Sequence, residues 1–138
     1  MANEEDRFHL FVVGSGPGGY GAAIRATQKK LRVAIIEKDK TGGTCLNRGC
    51  IPTKALLHDA ILISKLRGLP YLKGTIEYAF EDVIHRKNEV VAKSVKGFEA
   101  LLLNQGVKLI KGEASLEKPQ SVGVRRSDGS TTTLWRHL

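Results

Sequence analysis

The chain has 138 residues, enough for one domain with its own core and too few for two of ordinary size. Hydrophobic residues make up 41% and charged residues 26%, the balance of a soluble globular protein, and no apolar run approaches the roughly 18 residues of a membrane span. Net charge is +8 from 22 basic and 14 acidic side chains. The basic residues are scattered (Lys29, Lys30, Arg32; Arg86, Lys87; Arg125, Arg126) and aromatics are only 6%. A solvated surface is therefore expected rather than a nucleic-acid face, which needs stacking side chains.

The first residues, MANEEDRFHLFVV, are acidic where a secretory signal would be basic and a mitochondrial presequence rich in Arg. The expected location is the cytoplasm. Residues 8–13 form an apolar run that stops at glycines, as a buried parallel strand does. Residues 20–30 are Ala-rich and end in two lysines, which suits a helix. Residues 32–37 read as a second buried strand. Together these make a βαβ unit with a right-handed crossover.

Residues 38–49 are polar and Gly-rich and are expected to be loop, at least in part. From 52 to 66, apolar residues recur at helical spacing, with Pro52 in the first turn and Gly68 and Pro70 ending the helix. Residues 81–105 carry Val83, Ile84, Val90, Val91, Val95, Phe98, Leu101 and Leu102, the stripe of one long amphipathic helix. Residues 107–110 read as a strand. The stretches 121–126 and 131–135 flank Ser127-Asp128-Gly129-Ser130, a hairpin signal. Trp135 is expected to pack on the core. One α/β domain with a terminal β-meander is the expected architecture.

Two features carry chemistry. Gly14-Ser15-Gly16-Pro17-Gly18-Gly19 is a G-x-G-x-x-G between the first strand and the first helix. Gly14 permits the tight turn, Gly16 lets the backbone approach a pyrophosphate, and Gly19 lets helix and strand pack closely. The helix N-terminus then offers free N–H groups and a positive dipole end to the phosphates. Glu37, ending the second strand, can accept hydrogen bonds from ribose hydroxyls and would repel a 2′-phosphate. The loop reads as an adenine-dinucleotide site, with FAD and NAD both open.

The second feature is Gly42-Gly43-Thr44-Cys45-Leu46-Asn47-Arg48-Gly49-Cys50-Ile51-Pro52-Thr53-Lys54. Cysteines five apart in a straight helix are separated by ~7.5 Å along the axis, beyond the ~7 Å Cα limit for a disulfide. A bend is required, and Gly49 can supply it. Cys50 then falls near the start of a helix, where the dipole favours thiolate, with Lys54 on the same face. The pair reads as a poised dithiol/disulfide. A metal site would need further ligands, and His9, His58, His85 and His137 are isolated, so no metal is expected. An inert buried pair is the remaining alternative.

This motif, a few residues after a ribose-binding Glu, resembles the active-site disulfide of the pyridine nucleotide–disulfide oxidoreductases. Within that group C-L-N-x-G-C-I-P-(S/T)-K-A-L-L is similar to the dihydrolipoamide dehydrogenase branch, and the resemblance covers essentially the whole chain. It implies a Rossmann-like FAD-binding domain, of which residues 1–138 are the N-terminal part. It also implies that the NAD-binding and dimer-interface domains, and a His–Glu base, lie outside this chain.

By the same resemblance FAD lies on Gly14, Gly16, Pro17, Gly18 and Gly19, with Glu37 and Lys38 at its ribose. Gly43, Thr44 and Cys45 line the path to the flavin, and Lys54 sits near the isoalloxazine. Ala114, where the family has glycine, lies on the adenine side. Cys45, the more exposed sulfur, exchanges with dihydrolipoamide; Cys50 contacts the flavin, and NAD is the final acceptor. The implied partners are a second copy of the full-length chain and the lipoyl domain of a 2-oxoacid dehydrogenase or glycine cleavage complex. The chain alone is expected to show no turnover. Another flavin disulfide reductase, or a non-catalytic dinucleotide-binding fragment, are the alternatives. Arg48 stands where the family often has Val.

Overall fold

A computed structural model describes residues 4–137. After a short 3-10 turn at Glu4–Asp6, the chain runs β1 (Arg7–Phe8), β2 (Leu10–Val13), α1 (Pro17–Gln28), β3 (Val33–Glu37), α2 (Gly43–Asn47) and α3 (Cys50–Arg67). It continues through α4 (Phe80–Asn104), β4 (Val107–Lys111), β5 (Glu113–Lys118), β6 (Ser121–Arg125) and β7 (Thr131–Arg136). β2, β3 and β4 form a parallel sheet in that order, with Leu10 opposite Val33 and Val33 opposite Val107. β5, β6 and β7 form the antiparallel meander, and β1 joins it in parallel beside β7.

β3 holds the two layers together. All five of its residues are buried, as a strand covered on both faces must be. Successive side chains point to opposite faces. Val33 and Ile35 enter a cluster with Ala23 of α1, Leu102 of α4 and Val107. Ala34 and Ile36 pack instead with Phe8, Val122, Val124 and Leu134, which fasten the meander to the sheet. The α/β class and the meander expected from the sequence are both present.

Several features differ from the sequence reading. The single strand expected at 8–13 is two, because β1 is claimed by the meander and β2 by the parallel sheet. The switch falls at His9, whose N–H bonds to the Arg32 carbonyl and whose ring stacks on His137. Residues 38–49 contain helix α2, too short to show a period. β5 gives no signal in the sequence because five of its six residues are exposed and its charges hide any alternation. Leu134, not Trp135, is the buried residue of β7. Among the described residues no helix is long and apolar enough to cross a membrane.

Candidate active site

The C-terminal ends of β2, β3 and β4 meet at one edge of the sheet, where ligands bind in open α/β folds. Gly14 leaves β2 with φ +95, a left-handed turn that favours glycine, and its N–H bonds to the Ile36 carbonyl at 2.8 Å. A Cβ on Gly19 would run into the Gly14 carbonyl oxygen, so the helix can approach the turn only because that residue is glycine. Around Gly16 and Gly18, by contrast, a Cβ would meet nothing within 4 Å. Helix α1 begins at Pro17 with no side-chain cap, leaving its first turn open to an anion.

Glu37 is buried at the end of β3. Its Oε2 accepts from the Ser15 N–H at 2.9 Å and the Ser15 hydroxyl at 2.6 Å, and its Oε1 accepts from the Asp39 N–H at 2.9 Å. Burial pushes this carboxyl up, but the Ser15 hydroxyl, the two backbone N–H groups and the Lys111 ammonium hold it below its ordinary value. A carboxylate has about four lone-pair sites. Three are used, which leaves one on Oε1 for a ribose hydroxyl.

A cavity of about 310 Å³ opens here, lined by Gly14, Glu37, Lys38 and Ala114 among others. Ala114 sits on β5 opposite Val124 and is half-buried. The structure therefore gathers Glu37, the glycine turn and Ala114 around a single space. Lys38 reaches toward Glu113 at 3.8 Å, and Arg125 at 2.6 Å from the same carboxylate holds Glu113 below its ordinary value.

The cysteines are brought together by a helix break. α2 ends at Asn47, Arg48 and Gly49 leave helical geometry, and α3 begins at Cys50. A Cβ on Gly49 would lie 3.1 Å from the Thr44 carbonyl and 3.3 Å from Cys45 Cα, so this glycine allows the two helices to fold against each other. Cys45 and Cys50 are free thiols. The neighbouring Cys50 side chain is the main influence holding the Cys45 thiol above its ordinary value, helped by burial and Cys50's charge, while the Cys50 backbone and the Lys54 ammonium oppose it. Lys54 is exposed on α3, one turn beyond Cys50.

The exposures reverse the sequence expectation: Cys45 is half-buried and Cys50 exposed. Cys45 lines a small apolar pocket of about 120 Å³ together with Pro17, Tyr20, Leu46, Ile51 and Phe98. Arg48, opaque in the sequence, pairs with Asp39 at 2.7 Å.

Sequence reasoning passes over Ser15. It stands at a variable position of the glycine motif, and only the fold shows its hydroxyl buried between Glu37 and the Gly42 N–H. Lys111 carries no sequence signal either; its ammonium bonds to Thr41 Oγ1 at 2.6 Å, fixing the loop before α2.

Comparison with known proteins agrees with this arrangement. The family described as "Pyridine nucleotide-disulphide oxidoreductase" matches residues 8–136. The chain is 43% identical over 126 residues to "Dihydrolipoyl dehydrogenase" of Chlamydia pneumoniae, covering 88% of this chain and 27% of that protein. It is 40% identical over 138 residues to "Dihydrolipoamide dehydrogenase" of Chaetomium thermophilum, covering 95% and 27%. Among solved structures it resembles the HOCl-induced flavoprotein disulfide reductase RclA from Escherichia coli, with TM-score 0.77 and 29% identity over 94% of this chain and 27% of that one. The chain thus spans about a quarter of the length of these relatives. It belongs to the pyridine nucleotide–disulphide oxidoreductase family.

Proposed function

We propose that residues 1–138 are the N-terminal part of an FAD-binding domain and carry the redox dithiol of an enzyme that oxidises dihydrolipoamide with NAD as acceptor. The observation that supports this most is the tight fold of the chain at Gly49 between Cys45 and Cys50, where a Cβ would lie 3.3 Å from Cys45 Cα, on a helix that begins against the glycine loop.

The residues present fit FAD. The uncapped start of α1 at Gly16, Pro17, Gly18 and Gly19 would take the diphosphate, and Glu37 would accept from the ribose through its free lone pair, beside Lys38. Ala114 would border the adenine. Gly43, Thr44 and Cys45 would line the way to the isoalloxazine, near Lys54. When bound, the flavin supplies two-electron acceptor chemistry beside the dithiol.

With the exposed Cys50 covered on the side where FAD would lie, a thiolate of the substrate dithiol would attack the Cys45 sulfur of the oxidised chain, releasing Cys50 as thiolate. The second substrate thiol would then displace Cys45. The substrate leaves as a disulfide and the protein holds the two electrons as Cys45 and Cys50. The Lys54 ammonium favours thiolate at Cys45. The NAD site and the proton-accepting base would be supplied by the rest of the protein, as would the second subunit. Its lipoyl substrate would come from a 2-oxoacid dehydrogenase or glycine cleavage complex.

A different disulfide reductase activity on the same dithiol is the second reading, favoured by the name of the Escherichia coli neighbour. A panel of disulfide substrates on the full-length protein separates the two.

The test is to load the folded chain with FAD, remove free flavin, and record its visible spectrum anaerobically before and after dihydrolipoamide. The expected result is retained flavin and a new long-wavelength band from a thiolate against it. A folded chain that keeps no flavin overturns the binding assignment for this segment. Flavin-loaded protein whose Cys45→Ser variant responds like the parent overturns the redox assignment.

A further inference from the structure

Ser15, in the glycine loop, bonds both to the end of β3 and to the start of α2. Its hydroxyl and its backbone N–H both donate to Glu37 Oε2, at 2.6 and 2.9 Å. The same hydroxyl oxygen accepts from the Gly42 N–H at 2.9 Å. The residue is fully buried, so water does not compete for these bonds and each partner would be left unsatisfied without it. The donors run in one direction: Gly42 N–H to Ser15 oxygen, Ser15 O–H to Glu37. One hydroxyl has one proton, so this is the single arrangement that satisfies all three groups.

Gly42 is the residue from which α2 starts, held in a left-handed conformation at φ +91. The next residue, Gly43, lies so close to the glycine loop that a Cβ on it would be 3.0 Å from Gly16 Cα. Two contacts therefore fix where α2 begins: the Ser15–Gly42 hydrogen bond and the Gly43–Gly16 approach. Cys45 lies two residues beyond Gly43. Helix α2 is only five residues long, and a helix that short has little stability of its own, so its position depends on these end contacts together with its packing against α3 and α4.

We propose that Ser15 is a positioning residue that locks helix α2, and with it Cys45, to the dinucleotide loop and the Glu37 carboxylate. The thiol would then be held in register with Cys50 by the loop that binds the cofactor, and ligation of Glu37 would be felt at the dithiol. The assignment deepens the function proposed above and rests on it for the identity of the ligand, but the lock itself is a property of the chain alone.

The groups that face the Cys45 thiol are the Cys50 thiol and the Lys54 ammonium. If α2 loosens, the Cys45–Cys50 contact weakens first, because it depends on the register of two separate helices. Since that contact raises the Cys45 thiol, its loss moves Cys45 down toward the ordinary thiol value.

The experiment uses the reduced chain without flavin. The alkylation rate of Cys45 by iodoacetamide is followed against pH with site-resolved mass spectrometry, for the parent, Ser15→Ala and Leu134→Ala. Leu134 is buried in the meander core, so its variant loses stability without touching the lock. Ser15→Ala is expected to lower the midpoint of the Cys45 profile, while Leu134→Ala leaves it in place. Should Ser15→Ala fail to fold, Ser15→Cys keeps the volume with a poor donor and is expected to shift the midpoint in the same direction. An unchanged Cys45 profile in a folded Ser15 variant overturns the proposal, as does an equal shift in Leu134→Ala. Flavin retention by the parent is read separately and bears on the proposed cofactor, so the two ideas fail by different measurements.

Discussion

Arg48 Nη1 lies 2.7 Å from Asp39 Oδ2, which ties the residue between the two cysteines back to the loop after β3. Both side chains are more than half exposed, and an exposed pair of this kind is screened by water and salt. Its hydrogen bond to Arg48 nonetheless holds the Asp39 carboxyl below its ordinary value. Arg48→Val is expected to leave the melting temperature nearly unchanged and to raise the Asp39 titration midpoint toward the ordinary carboxylate range. An NMR pH titration of the Asp39 carboxyl checks this, and an unmoved midpoint refutes it.

The glycines of the nucleotide loop divide by what surrounds them. A Cβ on Gly19 meets the Gly14 carbonyl, while one on Gly18 meets nothing within 4 Å. Gly19→Ala must push α1 away from β2, at a cost of about 1–3 kcal/mol or more. Gly18→Ala lies inside α1 and is expected to be neutral or to stabilise by up to about 1 kcal/mol. Urea unfolding of the two variants gives the comparison, and equal midpoints would contradict this difference in packing.

Gly49 controls the approach of the cysteines. A methyl carbon at this position would sit 3.1 Å from the Thr44 carbonyl oxygen, and the backbone there holds φ −124, ψ −109. Gly49→Ala should therefore open the angle between α2 and α3. The expected effect is slower closure of the Cys45–Cys50 disulfide by a mild oxidant, followed by the loss of free thiols. Closure as fast as the parent's would show that the break does not depend on this glycine.

Glu37 gives a pH signature. Its carboxylate accepts three hydrogen bonds, and Glu37→Gln disturbs that set at a cost of about 1–3 kcal/mol at neutral pH. The folded-state carboxyl lies below its ordinary value, so its contribution is present above the unfolded value and fades as pH falls through the folded one. Parent and variant should therefore differ most near neutrality and converge in acid. Thermal melts across that range would expose the error if the gap instead widened on acidification.

Much of this site is legible because its residues are adjacent in the chain. The G-x-G-x-x-G follows a strand and opens a helix, Glu37 ends the next strand, and the bend demanded by cysteines five apart falls at Gly49 as spacing requires. Ser15 is not legible, because its role depends on Glu37 and Gly42, 22 and 27 residues away. Nor is the division of residues 8–13 between two sheets, which rests on β7 lying parallel to β1 near the other end of the chain.

The sequence by itself determined the parallel βαβ core, the glycine turn between strand and helix and the bend between the two cysteines, since each rests on local periodicity, local backbone freedom or short spacing. Only the tertiary structure decided which cysteine is shielded. Tyr20 of α1 and Phe98 of α4 line the same small pocket as Cys45, and burial is a property of what the rest of the chain brings to a side chain, which no local pattern encodes.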